Sequence, residues 1–152
     1  MTIIYRILGF IINSTALLLT ISLVVSIPML VSSPITLLSA FFMVAVILYA
    51  WYSFRFYREV LQQQKTVKHR LKDMVRVNGI VTLVFSVITI LNVLFLLKNP
   101  ALFTESIKNF NVQMPVKNIT GFFYAMLIYA AILFIHVVWT FSLLKKNKQY
   151  FE

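Results

Sequence analysis

The sequence predicts an all-α integral membrane protein. Four transmembrane helices form an up-and-down bundle of two hairpins, with both termini in the cytoplasm (N-in/C-in). Three observations lead there. The 152 residues are 61% hydrophobic and only 12% charged, against about 25% charged for a soluble domain, and the mean hydropathy is +0.89. Long charge-free runs alternate with short basic segments. Finally, most Lys and Arg collect on one side of those runs, which is the asymmetry that orients membrane helices.

A helical pass needs roughly 20 apolar residues. Ile7 to Phe54 contains no Asp, Glu, Lys or Arg, which is too long for one pass and suits two. Pro28 and Pro34 punctuate its middle around Ser32 and Ser33. Proline cannot continue a helix interior and pushes the preceding residue out of the α region. The prediction is therefore a first helix at about 5–28, a tight turn, and a second helix at about 35–57. Val77 to Leu97 is also uncharged and ends at Asn99-Pro100, giving a third helix at about 78–97. Asn118 to Leu144 gives a fourth at about 120–144. One domain thus covers residues 1–152, with a basic loop at 58–77 and an outer loop at 98–119.

Arg6, Arg55, Arg58, Lys65, Lys68, Arg70, Lys72, Arg76, Lys145, Lys146 and Lys148 fall on one face of this topology. Lys98, Lys108 and Lys117 fall on the other, offset by Glu105. The positive-inside rule then puts both termini and the 58–77 loop in the cytoplasm. The apolar run after Arg6 exceeds the 7–15 residues of a secretory signal and lacks a small-residue cleavage site, so it is expected to remain as the first helix. A bacterial inner (plasma) membrane is the expected location.

The net charge of +10 would suggest nucleic acid in a soluble domain. Here it reads as topology, and no nucleic-acid partner is expected. Arg55, Arg58, Lys65, Lys68, Arg70, Lys72 and Arg76 are instead candidates for contact with anionic lipid, at about 1 kcal/mol each near the leaflet surface. Val67, Leu71 and Met74 interleave with them, which suggests a short interfacial helix or a cytoplasmic extension of helix three. In the outer loop, Leu102, Phe103, Ile107 and Phe110 have helical spacing and predict a short amphipathic helix ending before Pro115. Asn118-Ile119-Thr120 matches the glycosylation pattern but lies too near the membrane to be a good acceptor.

Two weak correspondences suggest a repeat of hairpins. Arg6-Ile7-Leu8-Gly9 parallels Arg76-Val77-Asn78-Gly79, and Trp51 with Arg58 parallels Trp139 with Lys146. Aromatic and basic belts recur at most helix ends, so chance accounts for them at least as well as a repeat does.

Polar residues within spans usually face other helices. Asn78, Thr82, Ser86, Thr89 and Asn92 share one face of helix three at 100° per residue. Gly9, Asn13, Ala16 and Thr20 form a small-and-polar stripe on helix one. Ser39, Met43, Val46, Ala50 and Ser53 share a face of helix two, and Gly121, Ala125, Tyr129, Ile132, His136 and Thr140 one of helix four. At 1.5 Å per residue, a level about 12 Å inside the cytoplasmic edge meets Asn13, Tyr49, Ser86 and His136. These four are the candidate buried polar layer. His136 is the one His, Asp, Glu, Lys or Arg in the apolar interior. Its expected state is a neutral imidazole bonded to Asn13 or Ser86, with proton or ligand handling as the functional alternative.

Enzyme chemistry is not expected. The chain has no Cys and only four acids, Glu59, Asp73, Glu105 and Glu152, all outside the spans. It has three Gly and no phosphate-cradling loop, H-E-x-x-H or G-x-S-x-G. No metal and no cofactor are expected. The expected role is a non-enzymatic accessory, assembly or structural subunit, with a membrane protein partner or a homo-oligomer. The alternative is an oligomeric transporter or channel built on the polar layer around His136. A small or polar stripe left facing outward would favour a partner helix, and a wet cavity reaching His136 would favour transport.

Overall fold

A computed structural model describes residues 2–30, 34–99 and 116–152 of the chain. Four long helices make up nearly all of it. They are α1 (Thr2–Leu30), α2 (Pro34–Phe56), α3 (His69–Lys98) and α4 (Val116–Lys146). All four are long and apolar enough to cross a membrane, and there are no strands among the described residues. The turn predicted between Pro28 and Pro34, the outer amphipathic helix and the side chain of Asn118 lie outside the described residues.

Local chemistry explains the helix bounds. Pro34 opens α2, where its fixed φ suits a helix and its missing N–H costs nothing. Pro28 falls in the last turn of α1 instead of ending it. The third helix starts at His69, about two and a half turns before the predicted position. The extension of helix three is thus the arrangement present, and the reason is packing: Leu71 and Val75 are buried in it. Its 30 residues rise about 45 Å, well beyond the roughly 30 Å of a hydrocarbon core. The second helix also runs past its predicted end, as a π-helical turn over Tyr57–Gln62 that carries Val60 into the core.

Helices adjacent in sequence pack on one another, and α1 also meets α4 over a shorter stretch. The start of α1, the end of α2, the start of α3 and the end of α4 gather at one end, called here the basic end. Phe56, Val60, Leu71, Val75 and Leu144 form its core together with Tyr49 and Val137. A middle layer holds Ile12, Ala16, Val46, Ala50 and Leu133, and Val93 with Phe123 forms a third. The outer surface is Ile, Leu, Val and Phe, as at Phe10, Leu18, Val25 and Leu91. Such a surface suits lipid, where backbone polar groups must be paired within each helix.

The last residues close the basic end. Phe151 bridges Val67: the Val67 N–H donates to the Tyr150 carbonyl at 2.8 Å and the Glu152 N–H to the Val67 carbonyl at 3.0 Å. The Phe151 ring stacks on Phe56, with centroids 6.1 Å apart. Gln64 turns the preceding loop with φ of 49°. The 63–68 segment is therefore pinned by the chain's own tail, which no local pattern in the loop announces.

Candidate functional site

Two tyrosines of the interior meet two polar side chains of α4. His136 and Thr140, one helical turn apart, are both buried, as are Tyr5 on α1 and Tyr49 on α2. Tyr49 OH lies 2.8 Å from His136 Nδ1 and 2.9 Å from Thr140 Oγ1. Tyr5 OH lies 3.0 Å from the same Thr140 oxygen. Thr140 Oγ1 donates to the His136 carbonyl at 2.7 Å. The Tyr5 ring stacks on the imidazole with centroids 4.6 Å apart and planes 17° from parallel.

Counting protons fixes the direction of this chain of bonds. A threonine hydroxyl has one proton and two acceptor lone pairs. Thr140 gives its proton to the His136 carbonyl, so both tyrosines must donate to Thr140. Tyr49 has then spent its only proton, and its contact with His136 requires an Nδ1–H donor. A neutral imidazole protonated on Nδ1 presents a bare lone pair on Nε2. That Nε2 is buried and has no hydrogen-bond partner among the described residues. It faces the bare backbone of Gly9, where an added Cβ would sit 3.5 Å away.

His136 borders a cavity of about 280 Å³ between α1, α2 and α4. Tyr5, Gly9, Asn13, Ser53 and His136 line its interior, with Arg6, Tyr57 and Gln62 toward the basic end. Its lining holds no carboxylate. An adjoining groove of about 490 Å³ runs between α1 and α2 over Ala16, Leu17, Ile47, Ala50 and Trp51. The two share Asn13 and Phe54. Past the cavity, the fully buried Ile12, Val46 and Leu133 fill the bundle axis.

The predicted layer residues divide into two pairs. Tyr49 and His136 are bonded to each other. Asn13 and Ser86 do not bond to His136, contrary to expectation: Asn13 Nδ2 donates to the Gly9 carbonyl at 2.7 Å and Ser86 Oγ to the Leu83 carbonyl at 2.7 Å. Short polar side chains can satisfy themselves on the preceding helical turn, and these two do. Asn13 nonetheless lines the same cavity as His136. Along helix three, Asn78 and Thr89 likewise bond back to Met74 and Phe85. Only Thr82 reaches across, 3.4 Å to the Ala45 carbonyl on α2, and Asn92 is exposed. The stripe is a packing face at its centre and a surface at its far end.

Tyr5 and Thr140 belong to the cluster but not to the predicted layer. Depth alone admits one residue per helix, and Tyr5 lies at the very edge of the first predicted span. The spacing of four between His136 and Thr140, on one face of helix four, is the signal in sequence that points to Thr140.

The candidate lipid-contact residues lie at the basic end. Arg58, Lys65, Lys68, Arg70 and Arg76 are exposed. Arg55 pairs with Glu59 at 2.9 Å, while Asp73 takes His69 as its partner at 3.0 Å. Lys72 and Arg76 join Lys145 and Lys148 around a groove of about 520 Å³ floored by Ile80, Phe141 and Leu144. Among the described residues no cluster of three or more His, Cys, Asp or Glu is placed to hold a metal.

Fold and site together describe a helical protein with four membrane-length helices and a polar cluster buried between three of them. Comparison with known protein families, with curated proteins and with solved structures finds no match to this chain.

Proposed function

We propose that the chain is a non-enzymatic accessory or assembly subunit of the inner (plasma) membrane. Its site holds a membrane amphiphile against His136. In this reading the helices cross as an up-and-down bundle of two hairpins, N-in/C-in, with the basic end in the cytoplasm against anionic lipid. The observation that carries the proposal is the buried Nε2 of His136, unpartnered in the protein, on a residue that lines a cavity with polar walls. A buried polar atom without a protein partner costs about 1–3 kcal/mol if nothing else bonds it, and a ligand head group would offset that cost. The apolar groove next to the cavity gives such a ligand room for a tail.

The subunit character rests on α1. Among the described residues it buries only Tyr5, Ile12 and Ala16, so most of its circumference is free for lipid, a partner helix or a second copy. A transport role needs a continuous polar path, and the Ile12, Val46 and Leu133 layer argues against one through a single chain.

Native mass spectrometry of the protein, extracted in nanodiscs from its own membrane, tests the proposal. The expected result is one amphiphile per chain on the wild type and none on Gly9→Val, whose side chain projects onto Nε2. A protein partner at fixed stoichiometry supports the subunit role. Wild type and Gly9→Val with the same bound mass would overturn the ligand reading. Liposome flux that depends on His136 would replace it with transport.

A further inference from the structure

We infer that the head group held at His136 carries a hydroxyl, and that this hydroxyl donates its proton to Nε2. The inference rests on the amphiphile reading above and specifies its chemistry. The proton count along Thr140, Tyr49 and His136 puts a proton on Nδ1, and in a ring kept uncharged by its burial Nε2 is then an acceptor only. An ester, ether or ketone oxygen also only accepts, so it would set lone pair against lone pair. Hydroxyl and amine heads can donate. The cavity separates these two. Its lining includes Arg6 and no carboxylate, a charge balance that disfavours an ammonium and tolerates a neutral or anionic head. An amide N–H also donates without charge, but it brings a carbonyl beside the donor; a hydroxyl is the slimmer neutral donor for the space beside Gly9.

The surroundings fit that assignment. Gly9 leaves room beside Nε2 that a side chain would occupy. Asn13 and Ser53 both spend a donor on their own helix, on the Gly9 and Ala50 carbonyls, and keep oxygen lone pairs for a ligand's further donors. Asn13 and Phe54 stand where the cavity meets the groove. A head at His136 thus leads directly to a tail lying over Ala16, Leu17 and Ala50. The ligand class is a single-chain or otherwise slim amphiphile with a terminal or glycerol-type hydroxyl.

The test uses two probes of equal length, dodecanol and methyl undecyl ether, offered to the delipidated protein in detergent micelles. Occupancy is read by native mass spectrometry. The alcohol should bind about tenfold more tightly than the ether, the worth of one buried hydrogen bond together with the penalty for leaving its acceptor bare. His136→Phe should bind both alike, and Gly9→Val should bind neither. The wild-type comparison needs no variant to fold. Equal binding of alcohol and ether, lost in Gly9→Val, would overturn the hydroxyl assignment and keep the amphiphile site. No binding of either probe above the Gly9→Val level would overturn both.

Discussion

Removing one oxygen from Tyr49 probes the polar cluster with a measurable cost. Tyr49 is fully buried, and phenylalanine keeps its ring, so Tyr49→Phe opens no large cavity. Two hydrogen bonds go, to His136 Nδ1 and to Thr140 Oγ1. Their fates differ. Thr140 keeps Tyr5 and the His136 carbonyl, so that loss resembles an ordinary intramembrane bond, about 0.6 kcal/mol on average and up to about 1.7. The Nδ1–H of His136 is stranded, and a stranded buried donor costs about 1–3 kcal/mol. Local relaxation recovers part of this. The expected destabilisation is about 1–2 kcal/mol, which lowers the folded-to-unfolded ratio roughly 5- to 30-fold. The assay is equilibrium unfolding in mixed micelles titrated with denaturing detergent. Tyr52→Phe is the control: Tyr52 is a half-buried tyrosine near the same end of α2, and its hydroxyl takes no part in the cluster. It should shift stability by less than about 0.5 kcal/mol. A Tyr49→Phe protein no less stable than Tyr52→Phe would refute the bonding scheme.

Three further outcomes follow from the packing, and a fourth from the charges. At Gly79 an added Cβ would lie 2.7 and 2.9 Å from the Phe141 ring, so Gly79→Ala must displace that ring and should cost about 1–3 kcal/mol. Gly121→Ala meets nothing within 4 Å and should be neutral or slightly stabilising in the same titration. Deleting Tyr150–Glu152 removes the pairing with Val67 and the stack on Phe56; trypsin should then cut at Lys65 and Lys68 at least several-fold faster, and unchanged cleavage would refute the pinning of that loop. Replacing Lys72, Arg76, Lys145 and Lys148 by Gln should reduce anionic lipid retained on purification more than the same change at Arg58, Lys65, Lys68 and Arg70. All of the first four surround one groove with an apolar floor, whereas of the second set Lys68 and Arg70 alone share a groove, which Glu59 also lines; equal losses would reduce the effect to general charge.

The four long helices are legible in the sequence because lipid imposes one simple condition, a long uncharged run. Ile7 to Phe54 and its prolines mark two of them. The extension of α3 is weaker in sequence, since Leu71 and Val75 sit among lysines and arginines. What buries them is the core of the basic end, which closes over them only after residues distant in sequence meet. His136 stands out as an ionisable group in an apolar run, and Tyr49 is reached by depth alone. Asn13 and Ser86 share that depth, but periodicity does not say whether a short polar side chain turns to its neighbour helix or to its own backbone. Thr140 illustrates the reverse. Its hydroxyl bonds its own helix and still accepts from two others, because an oxygen has more than one lone pair. The direction of those bonds, and with it the bare Nε2, belongs to three-dimensional proximity and has no counterpart in sequence spacing.

Both the bonding scheme and the ligand chemistry depend on which imidazole nitrogen of His136 carries the proton. Nitrogen-15 NMR of the histidine-labelled protein in lipid bilayers reads this directly, with His136→Gln identifying the signal against that of His69. The expected result is a neutral ring with the proton on Nδ1 and a pyridine-type Nε2, whose signal moves when a hydroxyl-bearing amphiphile is added and stays put with the matched ether. A proton found on Nε2 would reverse the chain of bonds through Tyr49 and Thr140 and contradict the assignment.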